Sequence, residues 1–258
     1  MNRSLFILCA VVMGACLVHT GFAEEGDTTQ ADKAICNKKF QVMSMDGKKE
    51  LGTYSIKAVM KGSEKKIEIV ESVSLNYRGK TANMKSTVIY GNTSPFAPKK
   101  GTAETKIDGK TCMKGTVTFS DKTIDLECTG FLNKRTGEAI DPPKSFAKKD
   151  QPVAEGVLIF QSALPAISPR ILPKAGELEN VVFVEFPDDL GAPELINFKE
   201  GYRLVRGQPD EKGEYDMKIY SPHSDKSISH IRFNKDDQVV SMAWFGKMKL
   251  VEIEEKKN

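Results

Sequence analysis

The chain has 258 residues, of which 40% are hydrophobic and 28% charged, with a formal net charge of +3. This balance provides for a packed core rather than a disordered chain, and its length accommodates one large all-β domain or two small ones. Between Asp32 and Gly115 basic residues outnumber acidic ones about two to one, yet the excess is scattered lysine with no basic-aromatic motif, so no nucleic-acid partner is expected. Scattered lysines suit a solvated outer sheet face and guarded strand edges; contact with anionic lipid headgroups or wall polymer is the functional alternative.

In chain order, Arg3, the apolar run Leu5 to Val18 and the small residues Gly21-Phe22-Ala23 before Glu24 follow the order of a secretory signal. Residues 1–23 are therefore expected to be a signal peptide, giving an exported protein, periplasmic or extracellular. The alternative is a lipoprotein anchored through Cys16, which ends the stretch Val12-Met13-Gly14-Ala15-Cys16. The apolar run is shorter than the ~20 residues of a membrane span, and no later stretch is long enough to be one. Residues 24–34 read as a flexible leader, and 35–255 as a single β domain, with a division into two lobes at 131–155 as the alternative.

The body of the chain alternates with period two. Strands are expected at Phe40 to Met45, Leu51 to Met60, Ile67 to Tyr77 and Ala82 to Tyr90. After a Pro-containing loop, Gly91 to Gly101, further strands follow at Thr102 to Ile107, Cys112 to Phe119 and Thr123 to Thr129. Phe131 to Glu155 lacks alternation and reads as a long loop. Val157 to Phe160 is a short buried strand, and Gln161 to Leu172, with Pro165 and Pro169, allows at most a helical turn or two. Strands resume at Leu178 to Phe186, Phe198 to Val205, Glu214 to Tyr220, Ile228 to Phe233, Val239 to Trp244 and Met248 to Ile253. The fold class is thus all-β, a strongly curved antiparallel meander (half-barrel or open barrel) with few or no helices.

Turn positions set registers. Two-residue loops at Gly62-Ser63 and Arg78-Gly79 place Tyr54 opposite Glu71, Val73 opposite Met84 and Ile69 opposite Val88. A slip of one residue would send each apolar set to the other face, so agreement between turn and pattern is a strong signal. These registers set Tyr54, Glu71 and Ser86 side by side as one polar row on an apolar face. Around Lys235-Asp236, Ile231 is expected opposite Val240, grouping Ile231, Phe233, Val240, Met242 and Trp244 in the core.

Little in the sequence points to catalysis. His223 lies in a Ser-Pro-His-Ser loop and His230 on the polar side of a strand opposite Ser241, neither with a second ligand at metal spacing. Asp188-Asp189 and Asp236-Asp237 belong to turns, and nucleophile-elbow, phosphate-loop and dinucleotide glycine patterns are missing. No catalytic residue, metal site or cofactor is expected, and the chain reads as non-enzymatic. Of the cysteines outside the signal, Cys112 is placed on the polar side of its strand and Cys128 on the apolar side. A direct 112–128 bridge then needs a bulge, such as one at Gly115, while a bond from Cys36 or no bond is equally compatible.

Glu71 is the exception. A glutamate on the apolar side of a strand is costly unless it is hydrogen-bonded or reaches water. Either Tyr54 and Ser86 satisfy it within the core, or the face lines a cavity in which Tyr54, Glu71 and Ser86 bind a ligand's polar end.

An exported chain built as a continuous meander, a Pro-containing interruption and more meander resembles the LolA/LolB-like periplasmic half-barrel superfamily in layout. The resemblance implies an apolar concavity that binds a lipid, an acyl chain or a lipoprotein, and it carries no catalytic residues. The competing expectation is a structural or interaction protein of the envelope with a filled core.

Overall fold

The computed structural model describes residues 31–77, 79–92, 96–130, 132–133, 138–141, 143–185, 197–222, 224–244 and 248–253. The signal segment, Cys16, most of the leader, Asp188-Asp189 and His223 lie outside the described residues, as does the side chain of Trp244.

The strands are β1 (Lys33–Ser44), β2 (Glu50–Lys61), β3 (Lys66–Tyr77), β4 (Lys80–Gly91), β5 (Pro98–Ile107), β6 (Lys110–Phe119) and β7 (Thr123–Thr129). They continue with β8 (Leu132–Asn133), β9 (Glu138–Ala139), β10 (Ser145–Pro152) and β11 (Val157–Phe160). A 3-10 turn (Gln161–Ala163) and helix α1 (Leu164–Ile171) follow, and then β12 (Gly176–Glu185), β13 (Asn197–Arg206), β14 (Tyr215–Tyr220), β15 (Ser227–Phe233), β16 (Val239–Trp244) and β17 (Met248–Glu252). Fifteen strands form one sheet in the order β10-β7-β6-β5-β4-β3-β2-β1-β17-β16-β15-β14-β13-β12-β11, while β8 and β9 pair separately. The first and last strands thus meet in the middle of the sheet, with Phe40 opposite Glu252 and Val42 opposite Leu250. A meander runs outward from each.

The sheet is open and strongly curved, and its inner face buries residues from both meanders in one cluster, from Phe40, Ile56 and Val88 to Phe183, Ile219 and Phe233. Strand alternation produces this directly: β7 buries Ile124, Leu126 and Cys128 while Thr123, Asp125, Glu127 and Thr129 face away. All pairings among the described residues are antiparallel except β11 with β12. A parallel neighbour requires a crossover, and α1 is that crossover. Parallel strands covered on both faces read as continuous apolar runs, and Val181, Val182, Phe183 and Val184 are all buried.

Helix α1 fills part of the concavity. Leu164, Pro165, Ala166, Ile167, Ser168 and Pro169 are buried, so the segment is covered all round. Its eight residues are about the two helical turns that the sequence allows here. Pro165 sits in the first turn, where the missing N–H costs nothing, and Arg206 donates to the Leu172 carbonyl at 3.1 Å beyond the helix end. Phe160, just before the 3-10 turn, donates its backbone N–H to the Tyr90 hydroxyl at 2.9 Å and lays its ring over Gly101, where an added Cβ would meet Cζ at 2.6 Å.

Several sequence expectations are corrected. The β2–β3 loop has four residues, 62–65, with Lys61 opposite Lys66 and Lys65 at φ +47°. The register therefore shifts by two: Ile56, not Tyr54, lies opposite Glu71. An even shift keeps every side chain on its expected face. The β3–β4 register matches expectation, with Val73 opposite Met84 and Glu71 opposite Ser86. A bulge in β15–β16 puts Val239 opposite Phe233 and Ala243 opposite His230, so Val239, not Val240, is buried.

Cys112 is buried with Ala82 and Ile107, because the bulge falls at Cys112 itself: Thr105 pairs with Met113 and Lys106 with Thr111. Cys36, Cys112 and Cys128 are all free. The expected loop 131–155 contains β8, β9 and β10, whose charged sequence SFAKKDQP suits a sheet edge. Strand β1 begins at Lys33, within the expected leader. No helix among the described residues is long and apolar enough to cross a membrane.

Candidate functional site

The polar row expected from the sequence does form, with one member displaced. Glu71 and Ser86 face each other across β3 and β4, and the Ser86 hydroxyl donates to Glu71 Oε2 at 3.3 Å. Tyr54 lies diagonal to Glu71, its ring against Phe40 with centroids 5.9 Å apart. Its hydroxyl is close enough to the Glu71 carboxyl to draw that group's pKa down, although the buried oxygen completes no hydrogen bond of good geometry. Such a group is rare in a folded core.

These three residues line one cavity of about 340 Å³ on the inner face. Its walls are Val42, Val73, Val184, Met242 and Leu250, so among the described residues Glu71 is the only carboxylate or basic side chain in the lining. Protein surrounds it, and the accessible surface it keeps belongs to the cavity. Burial pushes its pKa from 4.5 up to about 7, against the smaller opposing pull of Tyr54 and Ser86. The Tyr54 hydroxyl is also driven up, by burial first and then by the Glu71 charge.

Depth within the cavity follows from position along the strands. Leu75, Val73 and Glu71 of β3 line it in succession, as do Met84 and Ser86 of β4; beyond Glu71, Ile69 is sealed in the core. Met84 is 37% exposed, and Leu75 and Met248 are part-exposed. The mouth is therefore at Leu75, Met84 and Met248, and the polar row is at the floor. Sequence reasoning missed Gln161 and Ser162, which the 3-10 turn brings to the same cavity. Their polarity at the start of an apolar, Pro-containing segment was visible, but not the strand they would meet.

A second cluster lies on β13 to β15. Arg232 is held by Glu214 at 2.8 Å, Asp210 at 2.6 Å and Asp216 at 3.2 Å, while His230 Nε2 approaches Asp216 at 2.9 Å. The guanidinium is committed to these carboxylates, which makes it a structural ion network. Among the described residues no group of three or more His, Cys, Asp or Glu side chains is placed to hold a metal. The thiols of Cys36 and Cys128 are pushed by burial to about 11, far from the range of reactive thiolates.

No family model and no curated protein matches the chain. Among solved structures, the chain is similar to a beta-barrel-like protein of domain of unknown function DUF1849 from Brucella abortus, at 8% identity and a TM-score of 0.41, over 86% of this chain and 98% of that one.

Proposed function

We propose that this is an exported, non-enzymatic protein of the cell envelope that binds a hydrophobic ligand, a lipid, an acyl chain or the acyl part of a lipoprotein, in the concavity of its sheet. The observation that carries this reading is the cavity of about 340 Å³, which falls at the lower end of the roughly 300–1,000 Å³ of ligand sites and shares their character of apolar walls with a few convergent polar groups. Tyr54, Glu71 and Ser86 are the ligand-binding residues in this reading. The resemblance in layout to LolA/LolB-like half-barrels supports it, as does the secretory pattern of residues 1–23.

The competing reading, a structural or interaction protein, draws on the buried helix α1, which already fills part of the concavity. Native mass spectrometry of protein purified from the envelope separates the two. A co-purifying lipid is the expected result. Protein that carries no lipid and binds no apolar probe overturns the binding reading. The same spectrum reports whether the N-terminus is cleaved after Ala23 or acylated at Cys16.

A further inference from the structure

We propose that the cavity takes a long-chain fatty acid head first, with its carboxyl group on the floor between Tyr54, Glu71 and Ser86 and its chain running out past Val73 toward the mouth at Leu75, Met84 and Met248. This rests on the hydrophobic-ligand reading and adds to it the class and the orientation of the ligand.

The orientation comes from where polarity lies. A ligand that enters chain first meets apolar surface deep in a site and water at its mouth; here the arrangement is reversed. Glu71 and Ser86 stand at the deep end of their strands' contributions, and Leu75 and Met84 at the other end are apolar. The floor also contains an under-used donor: the buried Tyr54 hydroxyl completes no hydrogen bond of good geometry, although the Glu71 carboxyl is its near neighbour. A head group with a free oxygen relieves that deficit.

The class comes from charge. A phosphate head would bring a full negative charge beside Glu71 with no Lys, Arg or His among the described lining residues to offset it. An ammonium head has no lone pair and so adds no acceptor for the Tyr54 O–H. A carboxyl head can share one proton with the Glu71 carboxyl in a charge-assisted O–H···O bond, while Tyr54 and Ser86 donate to the remaining oxygens. The volume, about 340 Å³, suits one chain rather than two.

Sharing a proton makes binding pH-dependent. Of the described residues that line the cavity with Glu71, only Tyr54 titrates: β1, β12, β16 and β17 contribute aliphatic or thioether side chains, β4 contributes Met84 and Ser86, β11 contributes Phe160, and the 3-10 turn contributes Gln161 and Ser162. Cys36, behind Tyr54, is neutral because burial holds its thiol at about 11. Glu71 therefore sets the dependence, and its pKa of about 7 puts the change between pH 6 and pH 8.

Isothermal titration of the full chain with dodecanoic acid, dodecylamine and a lysophosphatidylcholine of the same chain length tests this. The acid is expected to bind, with the other two at least about tenfold weaker. Its affinity should fall about tenfold from pH 6 to pH 8, because only the protonated Glu71 form accepts it. Glu71→Gln should remove that pH dependence. Should Glu71→Gln fail to fold, Tyr54→Phe and Ser86→Ala serve instead: weaker acid binding supports the assignment, and unchanged binding in both overturns it. Lysolipid or amine binding as tight as the acid overturns the head-first acid and leaves the hydrophobic-ligand reading standing. No binding of any of the three overturns both.

Discussion

At the scale of single residues, Glu71 costs the fold stability at neutral pH. The folded pKa of about 7 against 4.5 corresponds to about 3 kcal/mol of preference for the protonated form. Below pH 4.5 the group is protonated in both folded and unfolded chains and costs nothing. As pH rises through 4.5 the unfolded chain ionises first, so stability is lost progressively and the full penalty is present above about 7. Glu71→Gln is neutral at all pH values and keeps a donor and an acceptor. It should raise the melting temperature at pH 8 by roughly 5–10 °C and change it little at pH 4, as thermal melts at both pH values will show. A destabilised mutant at pH 8 would mean that the Ser86 bond of 3.3 Å outweighs the burial of the charge. The four-residue β2–β3 loop moved Tyr54 from the directly opposed to the diagonal position relative to Glu71.

At the scale of elements, the plug formed by the 3-10 turn and α1 is held where β11 ends. As the strand gives way to the 3-10 turn, the Phe160 N–H donates to the Tyr90 hydroxyl in a fully buried setting. Tyr90→Phe should cost about 1–3 kcal/mol, the penalty of removing the acceptor of a buried donor, and denaturant unfolding will measure it. Gly101 has ordinary strand geometry but gives its space to the Phe160 ring, with Val117 Cγ1 also 3.1 Å from an added Cβ. Gly101→Ala should destabilise by about 1–3 kcal/mol through overpacking. Because Phe160 also lines the cavity, both variants should change the affinity for an apolar probe as well as the midpoint. Neither role was legible in the sequence: Tyr90 was the end of one alternating run and Gly101 the end of a loop, and their partner arrives from 59 to 70 positions away in the chain.

At the scale of the whole molecule, β1 and β17 join the two meanders edge to edge, and one hydrophobic cluster draws on both. Calorimetry should therefore give a single unfolding transition with equal calorimetric and van't Hoff enthalpies; two resolved transitions would mean two lobes divided near 131–155. Outside 131–155, where β8, β9 and β10 carry no alternation, the sequence pattern by itself determined the strands, because period two is a local property that holds whatever the partner strand. It also determined which face is apolar, and it survived a wrong turn length because the error was an even number of residues. Bulges escaped it: at Cys112 and at Val239–Val240 one extra residue moves a side chain to the other face, and nothing in composition marks the position. The tertiary structure alone decided that the first and last strands pair, that a segment broken by Pro165 and Pro169 becomes a buried helix, and that Glu71 ends up at a cavity floor. Each depends on how far the sheet curves and what then fills it, a sum over many residues distant in sequence that no local pattern encodes.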